Sequence, residues 1–299
     1  MTTARGGLLA ALTVVVAAVH ALAAVKPKPR RDVPTLVTKD DAERERELQE
    51  RPGIPVARLS VAEGKVEQTD GRGPWGRARE GARVLTGDSL RTGPATTARL
   101  DFPWMQIGIG EASVVAVRPN RLLTAELVEG RAEQRAEAGA QLMRMRTREA
   151  VIRGDGHVVL RREGERTLVT VLEGRVLVTA GGKTSVLPKG QGALARQGAP
   201  PELVSLPPPP TGLVPGADPA YVVDGQGVSL AWTGAQREHL VQVLALASED
   251  VLLQRDVKGR SVTLDVPWEG TFRWRVATRD VSGVEGLPSN AGYFCRVAK

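Results

Sequence analysis

Cysteine is nearly absent from this chain and histidine is scarce. Cys295 is the only cysteine, which excludes an intrachain disulfide and leaves no thiolate set to hold a metal. The three histidines, His20, His157 and His239, lie far apart in sequence, so neither a structural nor a catalytic metal centre is expected. Aromatic residues make up only 3% of the chain, against 33 glycines and 20 prolines. That balance points to a turn-rich all-β protein with slender side chains rather than a helical bundle. At 299 residues the chain is long enough for two medium domains, each with its own core.

Reactive constellations are missing as well. No nucleophile with a matching base, phosphate-cradling glycine loop, paired carboxylates or ligand cluster stands out, so the chain reads as a non-enzyme with no catalytic, cofactor-binding or metal-binding residue. The net charge of +7 raises nucleic acid as a partner. The basic residues are interleaved with Asp and Glu nearly everywhere, and no reading motif or basic-aromatic platform accompanies them, so nucleic-acid binding is not expected.

What is present begins with an address. Residues 6–25 form an uncharged apolar run of 20 residues, preceded by Arg5 and followed by Lys26, Lys28, Arg30 and Arg31. Such a run is an export signal or a membrane anchor. Ala21, Leu22 and Ala23 resemble a signal-peptidase site, whereas the length would also span a bilayer. The basic cluster by itself argues for a cytoplasmic C-terminal side; a β-rich module without a cofactor motif fits the envelope better. His20 reads as a weakly polar residue near the end of a signal. Residues 26–55 read as a charged spacer, with Thr38 as a possible helix N-cap, Pro52 as a stop and no apolar stripe between them.

From residue 56 to 198 short alternating runs follow one another, the rhythm of many strands. Leu100 and Phe102, Ile107 and Ile109, Val115 and Val117, and Val176 and Val178 each fall on one face. Within this region a Glu-Gly-basic triplet occurs three times, starting at Glu63, Glu129 and Glu173. The spacings of 66 and 44 residues fit no single short repeat. The bland reading is a glycine at a tight turn or bulge.

The segment 80–102 resembles the signature of the FecR domain, the extracytoplasmic β domain of bacterial surface-signalling regulators. Gly81, Leu85, Gly87, Asp88, Leu90, Thr92, Gly93 and Thr97 occupy its positions, and Trp75 stands where the family opens. Glu173, Gly174, Val176, Leu187, Gly190 and Gln191 match its closing strands. The resemblance implies that each triplet opens a strand after a turn. Where the family has Thr-Pro and Gly-Thr pairs, Arg148 follows Thr147 and Asp155 follows Gly154. Arg153, Gly154 and Asp155 spell an adhesion tripeptide, read here as a turn, and Asp88 is read as accepting hydrogen bonds from its own turn.

Residues 199–219 hold eight prolines and read as a semi-rigid polyproline II linker that keeps two domains apart, with a PxxP ligand as the lesser reading. Residues 220–299 carry about seven strand candidates, a small sandwich by density. Phe272, Trp274 and Val276 face one way and Arg273 and Arg275 the other, with Trp232 expected against Trp274. The Trp-Arg-Val strand leading to an Asp280–Gly283 turn resembles fibronectin type III or Ig-like modules of exported bacterial proteins. Arg273 and Arg275 are a possible binding surface for an acidic polymer, although arginines on the wet face of a sandwich commonly serve solubility and edge protection. Cys295 is expected to be a small buried apolar residue, and His239 to sit in a turn.

Taken together, these features describe a non-enzymatic protein of the bacterial periplasm or cell envelope. It would present FecR-like and Ig-like domains for binding or scaffolding an envelope protein or an anionic envelope polymer. The alternative is a component of FecR-type surface signalling, anchored in the inner membrane through 6–25, that reaches a sigma-factor system through a separate cytoplasmic partner, because only Met1 to Arg5 precede the apolar run.

Overall fold

The computed structural model describes residues 53–118, 124–136, 144–218, 221–224, 227–234 and 238–297. The run at 6–25, with His20, and the spacer up to residue 52 lie outside them. By its contacts the chain divides into Met1–Thr38 and Lys39–Lys299, and every described residue belongs to the second unit. That unit is all-β. Among the described residues no helix is long and apolar enough to cross a membrane.

Fifteen strands form the first sheet: β1 (Pro55–Glu63), β2 (Val66–Thr69), β3 (Gly76–Arg77), β4 (Arg83–Leu85), β5 (Ser89–Thr92), β6 (Thr97–Phe102), β7 (Met105–Ile109), β8 (Val114–Arg118), β9 (Thr124–Ala136), β10 (Arg144–Arg146), β11 (Val151–Glu163), β12 (Arg166–Ala180), β13 (Lys183–Pro188), β14 (Gly192–Arg196) and β15 (Glu202–Val204). Its main order is β15-β14-β12-β11-β10-β9-β7-β6-β1-β4, with β13 on β12 and a branch through β2, β5 and β8 that rejoins at β9. The alternation predicted from sequence is there: Ala98, Leu100 and Phe102 are buried on β6 while Arg99 and Asp101 are half-exposed. The core is aliphatic, built on Leu59, Leu90, Leu100, Ile107, Leu127, Met145, Ile152 and Leu160, with Phe102 its one buried aromatic. Slender side chains let this many strands pack closely over one another, which is what the shortage of aromatics reflects.

The remaining strands are β16 (Thr211–Val214), β17 (Val222–Asp224), β18 (Gly227–Thr233), β19 (Glu238–Ala245), β20 (Val251–Lys258), β21 (Ser261–Asp265), β22 (Gly270–Arg279), β23 (Glu285–Pro288) and β24 (Gly292–Val297). They make a three-stranded sheet, β16-β18-β21, and a six-stranded one, β17-β24-β22-β19-β20 with β23 on β22. Both sheets feed one core, where Trp232 of β18 and Trp274 of β22 lie 6.3 Å apart. Cys295 is half-buried beside the fully buried Phe294, so it is less enclosed than its alternation suggested.

The proline-rich segment does not hold the two regions apart. Its first part pairs into the large sheet as β15, and a later part pairs into the small one as β16. Pro207, Pro210 and Pro215 are buried, and the Pro208 carbonyl accepts a hydrogen bond from Thr278 Oγ1 at 3.1 Å. A third apolar cluster, Leu168, Leu194 and Val284 with Val204 and Leu206, fills the join. Apolar and hydrogen-bonding partners on both sides outweigh the stiffness of the proline run.

The repeated triplets mark where the chain changes neighbours. Gly64 lies between β1 and β2, as a strand-opening turn should. Gly130 and Gly174 instead sit inside β9 and β12, which correct the expectation that every triplet follows a turn. Up to Glu129, β9 pairs with β8; from Ala132 on it pairs with β7. Likewise β12 pairs with β14 through Thr170 and with β13 from Arg175. Each corner needs a positive φ, +87° at Gly130 and +73° at Gly174, and a side chain at Gly130 would run into Ser113. The Ser113 hydroxyl accepts the Arg131 N–H at 2.9 Å, and at the first corner Thr96 does the same for Lys65 at 3.0 Å. Gly130→Ala is expected to cost about 2 kcal/mol through backbone strain and this clash. Urea unfolding of the variant, with Ala132→Ser as a comparison on the same strand, checks it.

Candidate functional site

The residues of the 80–102 signature build turns. Asp88 is buried, and its Oδ2 accepts hydrogen bonds from the Leu85 N–H at 2.8 Å and Gln68 Nε2 at 2.6 Å. Gly81 donates its N–H to the Leu59 carbonyl, Gly87 to that of Val117, Gly93 to that of Lys65 and Gly190 to that of Val171. Leu90 is in the core, and Thr92 Oγ1 donates to the Gly110 carbonyl at 2.6 Å. The Arg91 guanidinium lies 4.5 Å from the Trp75 ring centroid. Arg153, Gly154 and Asp155 are not a turn: they lie within β11, paired with Leu177, Val176 and Arg175 of β12. Glu173 is exposed opposite His157.

The groups with the most chemistry meet where β9 faces β22. On β9, Arg131, Glu133 and Arg135 share a face by their two-residue spacing; on β22, Arg273, Arg275 and Arg279 do. The sequence reading expected water over this face of β22, but much of it is covered by the first sheet. Arg131 makes a two-pronged pair with Glu285 of β23, at 3.0 and 2.8 Å, and its Nη2 also donates to Glu133 at 3.0 Å. Glu133 Oε1 accepts from Arg275 at 3.0 Å and shares a 2.6 Å hydrogen bond with His157 of β11. Arg275 Nε donates to Gln242 at 2.7 Å, which binds Gln254 at 3.0 Å. Arg131, Glu133 and Glu285 are each less than a tenth exposed.

Ions buried this deeply persist only if each is paired. Burial by itself pushes the Glu133 carboxyl up, but Arg275, the hydrogen bond to His157 and Arg131 together hold it well below the usual carboxylate range. Glu285 follows the same pattern, with burial opposed mainly by Arg131. Around this core run further ties: Arg99 pairs with Asp250, Thr97 Oγ1 donates to the Val251 carbonyl at 2.8 Å, and Thr170 Oγ1 to that of Glu285 at 2.7 Å. Thr97, the first residue of β6 and one of the 80–102 signature positions, thus also grips the second region.

Sequence reasoning singled out Arg273 and Arg275 and missed Arg131, Glu133 and Glu285. The signal was available as an alternating Arg-x-Glu-x-Arg on β9 and Arg-x-Arg on β22, complementary patterns that nothing local brings together. Arg275 is held in the network. Arg273 stands at its edge, pairing with Glu249.

His239 lies in β19, fully buried, with its ring 5.1 Å from that of Trp232. Burial pushes its pKa down, only partly opposed by the Gly259 backbone. Its folded pKa is below the unfolded value of about 6.5, so the folded state binds fewer protons. The associated stability is present above that pH and declines as pH falls below it. Urea midpoints at pH 7.5 and 5.5 are expected to differ less in His239→Leu than in the parent.

No family model matches this chain, and no curated protein does. Among solved structures, a proposed anti-sigma factor from Parabacteroides distasonis ATCC 8503, seen in two crystal structures, is 16% and 15% identical at a TM-score of 0.34, covering 39% of this chain and 57% of that one. A beta-1,2-glucanase from the same species is 9% identical at a TM-score of 0.23, over 82% of this chain and 38% of that one. This chain therefore spans a little over half the length of the first neighbours, and TM-scores this low carry no functional argument.

Proposed function

We propose that this chain is a non-enzymatic protein of the bacterial cell envelope in which a FecR-like β region and an Ig-like β region act as one rigid binding or scaffolding module. The observation that carries the reading is the buried ion network of Arg131, Glu133, Arg275 and Glu285. It spends the most chemically capable side chains on fixing the two regions to each other. A body fixed in this way presents loops and strand edges at a constant spacing, which suits recognition by complementary surfaces. The apolar run at 6–25 supports placement outside the cytoplasm.

The length of that same run supports a second reading, a membrane-anchored component of FecR-type signalling that works with a separate cytoplasmic partner. One experiment separates them: the N-terminal residue and membrane partition of the protein in its native host. A mature chain beginning near Ala24 in the periplasmic fraction supports the released binding module. An uncleaved chain that resists salt extraction supports the anchored signalling component, and a chain protected from external protease in the cytoplasm overturns both.

A further inference from the structure

We propose that an open cleft at the junction of the two β regions binds an acidic peptide segment, with Glu249 filling its carboxylate position until displaced. The proposal rests on the binding-module reading and adds the site and the chemistry of the partner.

Arg135 of β9 and Arg273 of β22 stand on opposite walls, with Lys189, Leu172 and Leu287 also lining the cleft. Glu249, in the turn between β19 and β20, bridges the two walls. Arg273 Nη1 donates to one of its oxygens and Arg135 Nη1 to the other, at 3.2 Å. Two guanidinium groups on one carboxylate define a carboxylate site, and the chain's own glutamate shows its geometry.

That glutamate is poorly placed to be permanent. Its φ is +58°, a left-handed conformation disfavoured for a residue with a side chain, and its carboxylate is partly exposed. Arg273 Nε is buried without a hydrogen-bond partner among the described residues. Lys189 is exposed and has no ion pair among them, leaving a second cation for an incoming acid. Leu172 and Leu287 give the cleft aliphatic surface beside these charges, while among the described residues no Trp, Tyr or Phe lines it for a sugar face to stack on, and its one ring, that of His157, is held by Glu133. Carboxylates interleaved with aliphatic side chains match an acidic peptide better than an acidic polysaccharide. Glu173 on the rim opposes excess negative charge and limits how many carboxylates the cleft accepts.

The test is fluorescence anisotropy of the full chain with a labelled eight-residue peptide of alternating Asp and Leu, against the same peptide with Asn for Asp, in low salt. Only the Asp peptide is expected to bind. Glu249→Gln should tighten binding about threefold by removing the competing carboxylate, a gain that a purely structural Glu249 would not produce, and Lys189→Glu should weaken it about tenfold. Lys189 is exposed and its N–H bond to Gly174 is from the backbone, so that variant keeps its fold. Equal binding of both peptides, affinities unmoved by both substitutions, or binding of oligogalacturonate with none of the peptide would overturn the proposal. Such a failure with the chain still found outside the cytoplasm leaves the binding-module reading standing, whereas a cytoplasmic chain defeats that reading whatever the peptide does.

Discussion

Replacing Arg131 with methionine is expected to lower the unfolding free energy by about 3–5 kcal/mol, the cost of leaving buried charge without its partner. The guanidinium serves two carboxylates, Glu285 by two hydrogen bonds and Glu133 by one. Methionine has the length to fill the space and none of the donors, so the loss reports the pairing rather than a cavity. Adding Glu285→Leu should recover part of it, since the second substitution removes one of the stranded carboxylates. A double-mutant cycle by urea unfolding is expected to return a coupling of about 1–3 kcal/mol. If Arg131→Met unfolds with the midpoint of the parent, the network does not join the regions. The same groups set the acid limit. Both glutamates have folded pKa values below the unfolded value of about 4.3. Their contribution is therefore complete above that pH and is lost as pH falls through the folded values. The glutamates' share of the stability should hold from neutrality to about pH 4.5 and fall below it, a fall that is shallower in Glu133→Gln and separate from the one that His239 causes at higher pH.

Trp274→Ala is expected to be as severe, about 3–5 kcal/mol, for a different reason. The indole is fully buried between the two small sheets, and its Nε1 donates to the Pro215 carbonyl at 3.0 Å. Truncation opens a cavity beside Trp232 and leaves that buried carbonyl without its donor. Gly292 passes against the indole so closely that a Cβ there would lie 2.7 Å from Trp274 Cε2, so the void cannot be filled from that side without moving β24. Trp274→Phe keeps most of the apolar volume and loses the donor. It should cost roughly half as much, and thermal unfolding of both variants separates the packing from the hydrogen bond.

Both substitutions act on positions whose local setting was visible in the sequence to different degrees. The apolar alternation through Phe272, Trp274 and Val276 determined a strand and its buried face, and Trp232 was the evident partner, because two large apolar side chains must leave water together. Scarce aromatics and abundant glycine and proline determined the all-β class. The positive φ at the repeated Glu-Gly-basic triplets was also legible, since only glycine holds it without strain. Whether such a glycine ends a strand or bends one was not: a turn and a mid-strand corner ask the same of the residue, and pairing with β7, β8, β13 and β14 decided for the corner at Gly130 and Gly174.

The opposite face of β22 is where tertiary structure had the deciding part. Period-two alternation tells which residues share a face, not what lies across from it. Arg273 and Arg275 read equally well as solvated ends of a sheet or as partners of buried carboxylates. Arg275 and Glu133 are separated by 142 positions, and no local preference links them. Only the packing of the first sheet over that face, with the proline-rich segment strapped to the second region, excluded water and made the ion pairing obligatory.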